Sequence, residues 1–221
     1  MYDLTLMKER HSVRSFLEKP IEEEAAAALE AEIAVCNETG GLHIQLVRNE
    51  PRAFDSFMAH YGSFSGVTDY LALIGPRGAG LSEKCGYYGE RLVLKAQSLG
   101  LNSCWVALTY KRVPGAFRVE KGEKLCVVIA LGYGKTAGVP HKSKTSEAVS
   151  DLSAGDPDWF RSGVEAALLA PTAMNQQKFF LKREGDRVRA SAGLAPYAKV
   201  DLGIVKYHFE QACGRNSSVW L

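Results

Sequence analysis

Two arginines and a serine alternate near the start of the chain, at Arg10, Ser12 and Arg14. In an extended segment, side chains two positions apart point to the same face. Two guanidinium groups and a hydroxyl on one face supply the donors that bind a phosphate or another anion with several oxygens. The alternative is a pair of solvated arginines at the end of a helix, and the spacing alone does not exclude it.

A second basic group, His141-Lys142-Ser143-Lys144, follows shortly after Gly132 and Gly134. Glycine permits a close approach of the backbone to a ligand, and lysine supplies charge without a fixed hydrogen-bonding geometry. This segment is therefore a further candidate for anion binding. The alternative is a solvated loop.

Small residues followed by amides occupy Pro171-Thr172-Ala173-Met174-Asn175-Gln176-Gln177. Backbone and amide donors and acceptors at close range suit the edge of a flat heteroaromatic ring that carries carbonyls and ring nitrogens. Because Pro171 ends the preceding apolar helix, the alternative is a helix-terminating turn with polar side chains.

Together these segments resemble the FMN-dependent nitroreductase family. Arg10-His11-Ser12-Val13-Arg14 resembles the family's R-x-S-x-R/K segment, and the run from Pro171 to Gln177 resembles its P-S-x-x-N-x-Q segment. Gly100-Leu101-Asn102-Ser103-Cys104-Trp105 is similar to its G-L-G-S-x-W stretch, and Lys142 and Lys144 match two basic residues spaced K-x-R.

The resemblance implies an α+β, nitroreductase-like fold with a central, mostly antiparallel sheet flanked by helices. It implies FMN as cofactor and NADH or NADPH as co-substrate, with nitroaromatics, quinones or similar acceptors reduced in ping-pong order. The flavin would carry the chemistry, so no catalytic side chain and no metal is expected. The implied cofactor contacts are Arg10, His11, Ser12, Arg14, Trp105, Val106, Ala107, Leu108, Lys142, Lys144, Pro171, Thr172, Ala173, Met174, Asn175 and Gln177.

The position of the amide segment departs from the family pattern, because it lies near the C-terminus rather than a few tens of residues after the first motif. The corresponding place, Val35 to Thr39, is a degenerate match. The stretch from Gly89 to Gly100 also echoes the one from Gly203 to Gly214. These features favour the branch with two nitroreductase-like halves in one chain, here 1–134 and 158–221 joined by a loop over 135–157 in one compact unit. Such a chain would bind one FMN and be a monomer (a pseudo-dimer) or a homodimer.

The composition is that of an ordinary soluble globular protein, and free cysteines suit a reducing cytoplasm. The 221 residues carry a net charge of only +2, which gives no reason to expect a nucleic-acid partner. The five cysteines include no C-x-x-C pair, so neither a disulfide framework nor a zinc site is expected. The apolar stretches are too short to cross a membrane.

Hydrophobic periodicity and turn residues predict the secondary structure. Helices are expected over 1–10, with Asp3 as N-cap, and over 21–37, 86–99, 158–169 and 201–213. Strands are expected over 42–47, 70–74 and 125–131, with a hairpin of 178–182 and 187–191.

Two other functions remain compatible with the same residues. One is a flavin-binding store or sensor without turnover, which the degenerate first-half motif allows. The other is a non-redox binder of a different phosphorylated small molecule.

Overall fold

The structure, a computed structural model, describes residues 4–55, 57 and 61–221 and divides into two compact units. The sheet unit comprises 10–81 and 92–139. The helical unit comprises the described residues up to Glu9, together with 82–91 and 140–221.

The described residues form five α-helices and six β-strands, in which the strands follow one another in pairs. The helices are α1 Leu4–Glu9, α2 Glu23–Gly40, α3 Leu81–Ser98, α4 Asp158–Ala167 and α5 Ala198–Cys213. The strands are β1 Gln45–Val47, β2 Asp69–Pro76, β3 Asn102–Val106, β4 Glu123–Gly132, β5 Phe179–Glu184 and β6 Arg187–Ala192. No helix within 4–55, 57 and 61–221 combines the length and the apolar character needed to cross a bilayer.

Four antiparallel strands form the centre of the sheet unit in the order β1-β2-β4-β3. Tyr70 and Cys104 both pair with Ala130, so the three side chains share one face of the sheet. That face belongs to a buried apolar cluster that also includes Val13 and Phe16. The core therefore joins the segment carrying Arg10 to Arg14 to strand β3.

Close helix contacts organise the helical unit. Gly203 of α5 lies so near the first turns of α3 that a Cβ would be 2.0 Å from the carbonyl oxygen of Glu83. Gly163 of α4 lies against the ring of Phe209, where an added Cβ would be 2.4 Å from the nearest ring atom. The antiparallel hairpin of β5 and β6 completes this unit, and Trp220 pairs in parallel with Val188 of β6.

The predicted helices and strands are confirmed in type, but several boundaries were wrong. Only Gln45–Val47 of the predicted strand over 42–47 forms, because Asn37 binds both backbone groups of Ile44 through its side-chain amide. Helix α3 begins at Leu81 instead of Gly86, and Gly86 is interior because a Cβ there would meet the carbonyl of Val200 at 2.0 Å.

The ends of other helices also differ from the prediction. Helix α2 continues to Gly40. The next residue, Gly41, has the left-handed conformation and caps the helix. Helix α4 ends at Ala167, two residues before the predicted end, and α5 begins at Ala198, three residues before the predicted start. The predicted loop over 135–157 contains a short 3-10 helix, Ser146–Ala148. Asp3, the predicted N-cap, lies outside the described residues.

Candidate functional site

The segment that follows α1 is extended and is fixed to β3 by backbone pairing. Ser12 forms a parallel bridge with Ser103, and the amide of Val13 donates to the carbonyl of Ser103 at 3.0 Å. Further along, the amide of Phe16 donates to the carbonyl of Ser65 at 2.9 Å. The side chains of Val13 and Phe16 are both buried in the core cluster and anchor the segment there.

Ser12 forms a side-chain hydrogen bond with the thiol of Cys104, and the charges of Arg14 and Arg10 act on the same thiol. Burial raises the pKa of that thiol, while the charges of Arg14 and Arg10 and a hydrogen bond from Ser12 oppose the increase. Arg10 is nearly fully buried, with 3% exposure, whereas Arg14 is exposed. The structure therefore brings two guanidinium groups and a hydroxyl into one neighbourhood, which we call the cationic cluster.

His11, the remaining predicted residue of this segment, lies against a glycine turn. Gly138 has φ +77, and a Cβ there would lie 2.8 Å from Cβ of His11. A Cβ at Gly134 would lie 2.7 Å from Oδ1 of Asn102, which accepts the amide hydrogen of Gly134. Gly134, one of the two glycines considered for ligand approach, thus packs closely against another part of the chain.

The stretch Trp105–Leu108 leaves the sheet at the end of β3. Val106 is buried in the core cluster, and Trp105 and Ala107 are half-buried. Leu108 is 69% exposed. Of these four predicted ring-flanking residues, Leu108 presents the most accessible apolar side chain.

In the helical unit, the segment Thr172–Gln177 forms a strained turn that we call the amide loop. Met174, Asn175 and Gln177 have φ values of 50, 52 and 46 degrees, in the left-handed region that residues with a Cβ rarely adopt. Each such residue costs about 1–3 kcal/mol and persists only where its surroundings impose it. Backbone strain of this kind concentrates at binding sites.

The basic segment predicted as a phosphate contact holds this loop in place. Nδ2 of Asn175 and Nε2 of Gln177 both donate to the carbonyl of Lys142 at 2.9 Å. Oε1 of Gln177 accepts from the amide of Lys144 at 2.8 Å, and Nζ of Lys144 donates to the carbonyls of Gln176 and Gln177. In the structure the basic segment and the amide loop are therefore in contact, although they were predicted as separate candidate sites.

These contacts give two predicted site residues a structural part in the loop. Gln177 is 3% exposed and its amide is used by Lys142, Lys144 and Asn175, so it shapes the loop. Lys144 places two of its ammonium hydrogens on loop carbonyls. Lys142 keeps an exposed side chain. Pro171, Thr172 and Ala173 are half-buried, and Met174 is 85% exposed.

Asp201 is a site residue that the sequence analysis missed. Its Oδ1 accepts the amide of Ala173 at 3.0 Å, and its Oδ2 accepts Nε2 of Gln176 at 2.8 Å. Burial raises the pKa of this carboxyl, and the two hydrogen bonds partly offset that effect. The predicted helix began at Asp201; because α5 begins at Ala198, Asp201 lies in its first turn.

Comparison with known proteins identifies the family. A family model described as "Putative TM nitroreductase" matches residues 4–213. The chain belongs to the nitroreductase family. No curated protein sequence matches it.

Solved structures of nitroreductases share the fold, an antiparallel sheet flanked by helices. A "putative nitroreductase" from Thermotoga maritima is 24% identical, with a TM-score of 0.67 over 95% of this chain and 82% of that one. An FMN-dependent nitroreductase from Clostridium difficile is 15% identical, with a TM-score of 0.52 over 66% and 94%. A "putative NADH oxidase" from Clostridium acetobutylicum is 15% identical, with a TM-score of 0.50 over 69% and 99%.

Proposed function

We propose that this nitroreductase-family protein is an FMN-dependent oxidoreductase. NADH or NADPH would donate the hydride, and a nitroaromatic, quinone or similar compound would accept it. Family membership supports the reaction class, and the neighbours described as FMN-dependent and as an NADH oxidase support the cofactor and the donor. The observation that carries the proposal is the pairing of Ser12 with Ser103 of β3, beside Cys104, whose thiol is acted on by Arg14, Arg10 and Ser12.

The chemistry of the cationic cluster fits a phosphate monoester. Two guanidinium groups provide paired N–H donors and positive charge, and a hydroxyl adds a further donor. An anionic ligand at this cluster would be attracted by both guanidinium groups and could accept hydrogen bonds from them.

We assign the amide loop to the edge of the isoalloxazine ring. Asn175 and the backbone near Ala173 are the proposed hydrogen-bonding groups, with Pro171, Thr172 and Met174 beside the ring. Lys142 would add positive charge, and Trp105 to Leu108 would pass along the ring. Gln177 and Lys144 would act by holding the loop.

FMN, when bound, supplies hydride transfer, so the chain needs no nucleophilic side chain. The residues of the chain would bind the phosphate, orient the ring and leave one face open to the donor and then to the acceptor. Because both substrates would use the same face in turn, we expect ping-pong kinetics.

The order of elements supports two nitroreductase-like halves. The series helix, strand, strand, helix occurs as α2, β1, β2, α3 and again as α4, β5, β6, α5, and the strands of each pair are antiparallel. We infer a duplicated chain that binds one FMN. The five free cysteines, four of them buried, are compatible with the reducing cytoplasm, where we place the protein.

The visible spectrum and cofactor content of the purified protein test the proposal directly. We expect the absorption of an oxidised flavin, one FMN per chain, and oxidation of NADH or NADPH when a quinone or a nitroaromatic is added. Parallel double-reciprocal plots would support the ping-pong order. A yellow protein without turnover would indicate a store or sensor. A colourless protein that does not take up added FMN would overturn the proposal.

A further inference from the structure

We infer that Asp201 is a positioning residue that fixes the amide loop in the conformation needed to bind the flavin, an inference that rests on the proposed function. Its carboxylate joins the first turn of α5 to two points of the loop, the amide of Ala173 and the side chain of Gln176. Both bonds end on residues next to the left-handed pair Met174 and Asn175. Asp201 is therefore placed to hold the strained part of the loop from both sides.

Burial makes Asp201 a poor choice for stability alone. The side chain is 3% exposed, and its two hydrogen-bond donors in the loop are uncharged. A carboxylate in such surroundings loses hydration, and an apolar residue of similar size is often as good or better for stability. The benefit of the charge is instead that it accepts two hydrogen bonds strongly and in fixed directions.

The loop is held by charges of opposite sign on complementary backbone groups. Nζ of Lys144 donates to the carbonyls of Gln176 and Gln177, while Asp201 accepts from the amide of Ala173. Gln176 connects the two holds, because its carbonyl accepts from Nζ of Lys144 and its Nε2 donates to Asp201. Loss of the carboxylate would free the N-terminal part of the loop while Lys144 still held the C-terminal part.

Glu210 offers a matched control on the same helix. It is 5% exposed, burial raises the pKa of its carboxyl, and it accepts hydrogen bonds from Tyr87 and Trp220. Both of these donors lie outside the amide loop. Glu210→Gln therefore removes a comparable buried charge without releasing the loop.

The test compares FMN affinity with stability of the cofactor-free protein in Asp201→Asn, Gln176→Ala and Glu210→Gln. In Asp201→Asn the carbonyl oxygen still accepts from Ala173, but the new NH2 faces the NH2 of Gln176. We expect this variant and Gln176→Ala each to raise the FMN Kd about tenfold, the loss expected for a hydrogen bond to a charged group. Their effects should be less than additive in the double variant, because they remove the same bond. Glu210→Gln should leave Kd within about twofold.

The outcomes separate this inference from the proposed function. Wild-type protein that does not bind FMN would overturn both. Wild-type protein that binds FMN, with Asp201→Asn and Gln176→Ala unchanged in Kd, would overturn the role of Asp201 alone. The role of Asp201 would also be overturned if Glu210→Gln raised the FMN Kd as much as Asp201→Asn does while lowering the melting temperature by the same amount. If Asp201→Asn does not fold, Gln176→Ala decides the question. It removes the same hydrogen bond by changing Gln176, a loop residue that is only half-buried.

Discussion

Nε2 of His208 lies 2.8 Å from Oε1 of Glu90, and both side chains are fully buried. Nδ1 of the same imidazole lies 3.1 Å from the carbonyl oxygen of Ala166. Because a carbonyl only accepts, Nδ1 carries a hydrogen, and the contact with Glu90 shares one proton whichever residue holds it. The buried imidazole of His208 in α5 thus links Glu90 of α3 and Ala166 of α4 within the helical unit.

Removal of one member of this pair should be costly. Glu90→Ala leaves Nε2 of His208 buried without its carboxylate, and we expect a loss of about 3–5 kcal/mol in the free energy of unfolding. Glu90→Gln retains a side-chain hydrogen bond to the imidazole and should cost much less. Urea denaturation measures both values. Equal losses for the two variants would show that the hydrogen bond to His208 contributes little.

The close crossing of α5 and the first turns of α3 predicts a glycine requirement at Gly203. A Cβ in Gly203→Ala would meet the carbonyl of Glu83 at 2.0 Å and the amide nitrogen of Tyr87 at 2.7 Å, so the helices must separate. We expect a loss of about 1–3 kcal/mol or more. Gly155→Ala, where nothing lies within 4 Å of the added atom, is the control and should change stability by less than about 1 kcal/mol. Thermal unfolding that ranks the variants in the opposite order would contradict the helix packing described.

The phosphate role of the cationic cluster predicts the effect of Arg14→Ala. Arg14 is exposed, so its removal should spare the fold while FMN affinity falls by about 1.5–3 kcal/mol, the worth of a hydrogen bond to an ion. Arg118, an 82% exposed arginine of the same unit, provides the control variant Arg118→Ala. Equilibrium dialysis against FMN gives both dissociation constants. An Arg14→Ala protein that retains FMN as well as Arg118→Ala would argue against the assignment.

Burial raises the pKa of Asp201 above its ordinary value of 3.8, and this predicts a pH dependence of stability. The folded protein then binds this proton more tightly than the unfolded chain. The contribution of Asp201 to the free energy of unfolding is therefore greatest when the pH is below the pKa of Asp201 in the unfolded chain. It is lost as the pH rises through the pKa of Asp201 in the folded protein. Asp201→Asn lacks this titration, so relative to the wild type it should gain stability from about pH 4 upward. Urea denaturation across that range tests the sign, and a constant difference between the two proteins would contradict it.

The amino-acid sequence by itself predicted the types of the described helices and of every described strand except β3, Asn102–Val106, together with the segments that carry the candidate site. In α2, Ala25, Leu29, Ile33 and Cys36 recur at helical spacing and are buried, and in β4 the apolar run is buried from Val127 to Leu131. These features are local, because burial follows the period of the backbone. The same reasoning found Arg10, Ser12 and Arg14, since their alternation is a property of an extended chain.

The tertiary structure decided which polar group each residue binds. Asp201 meets Ala173 and Gln176, Lys144 meets the carbonyls of Gln176 and Gln177, and Gly86 stays inside a helix. These partners lie 25 or more residues apart in the chain, so no periodic pattern signals them. A buried donor or acceptor must find its partner wherever packing brings one within about 3 Å. That choice depends on how distant elements pack together, and so it is made only in the folded protein.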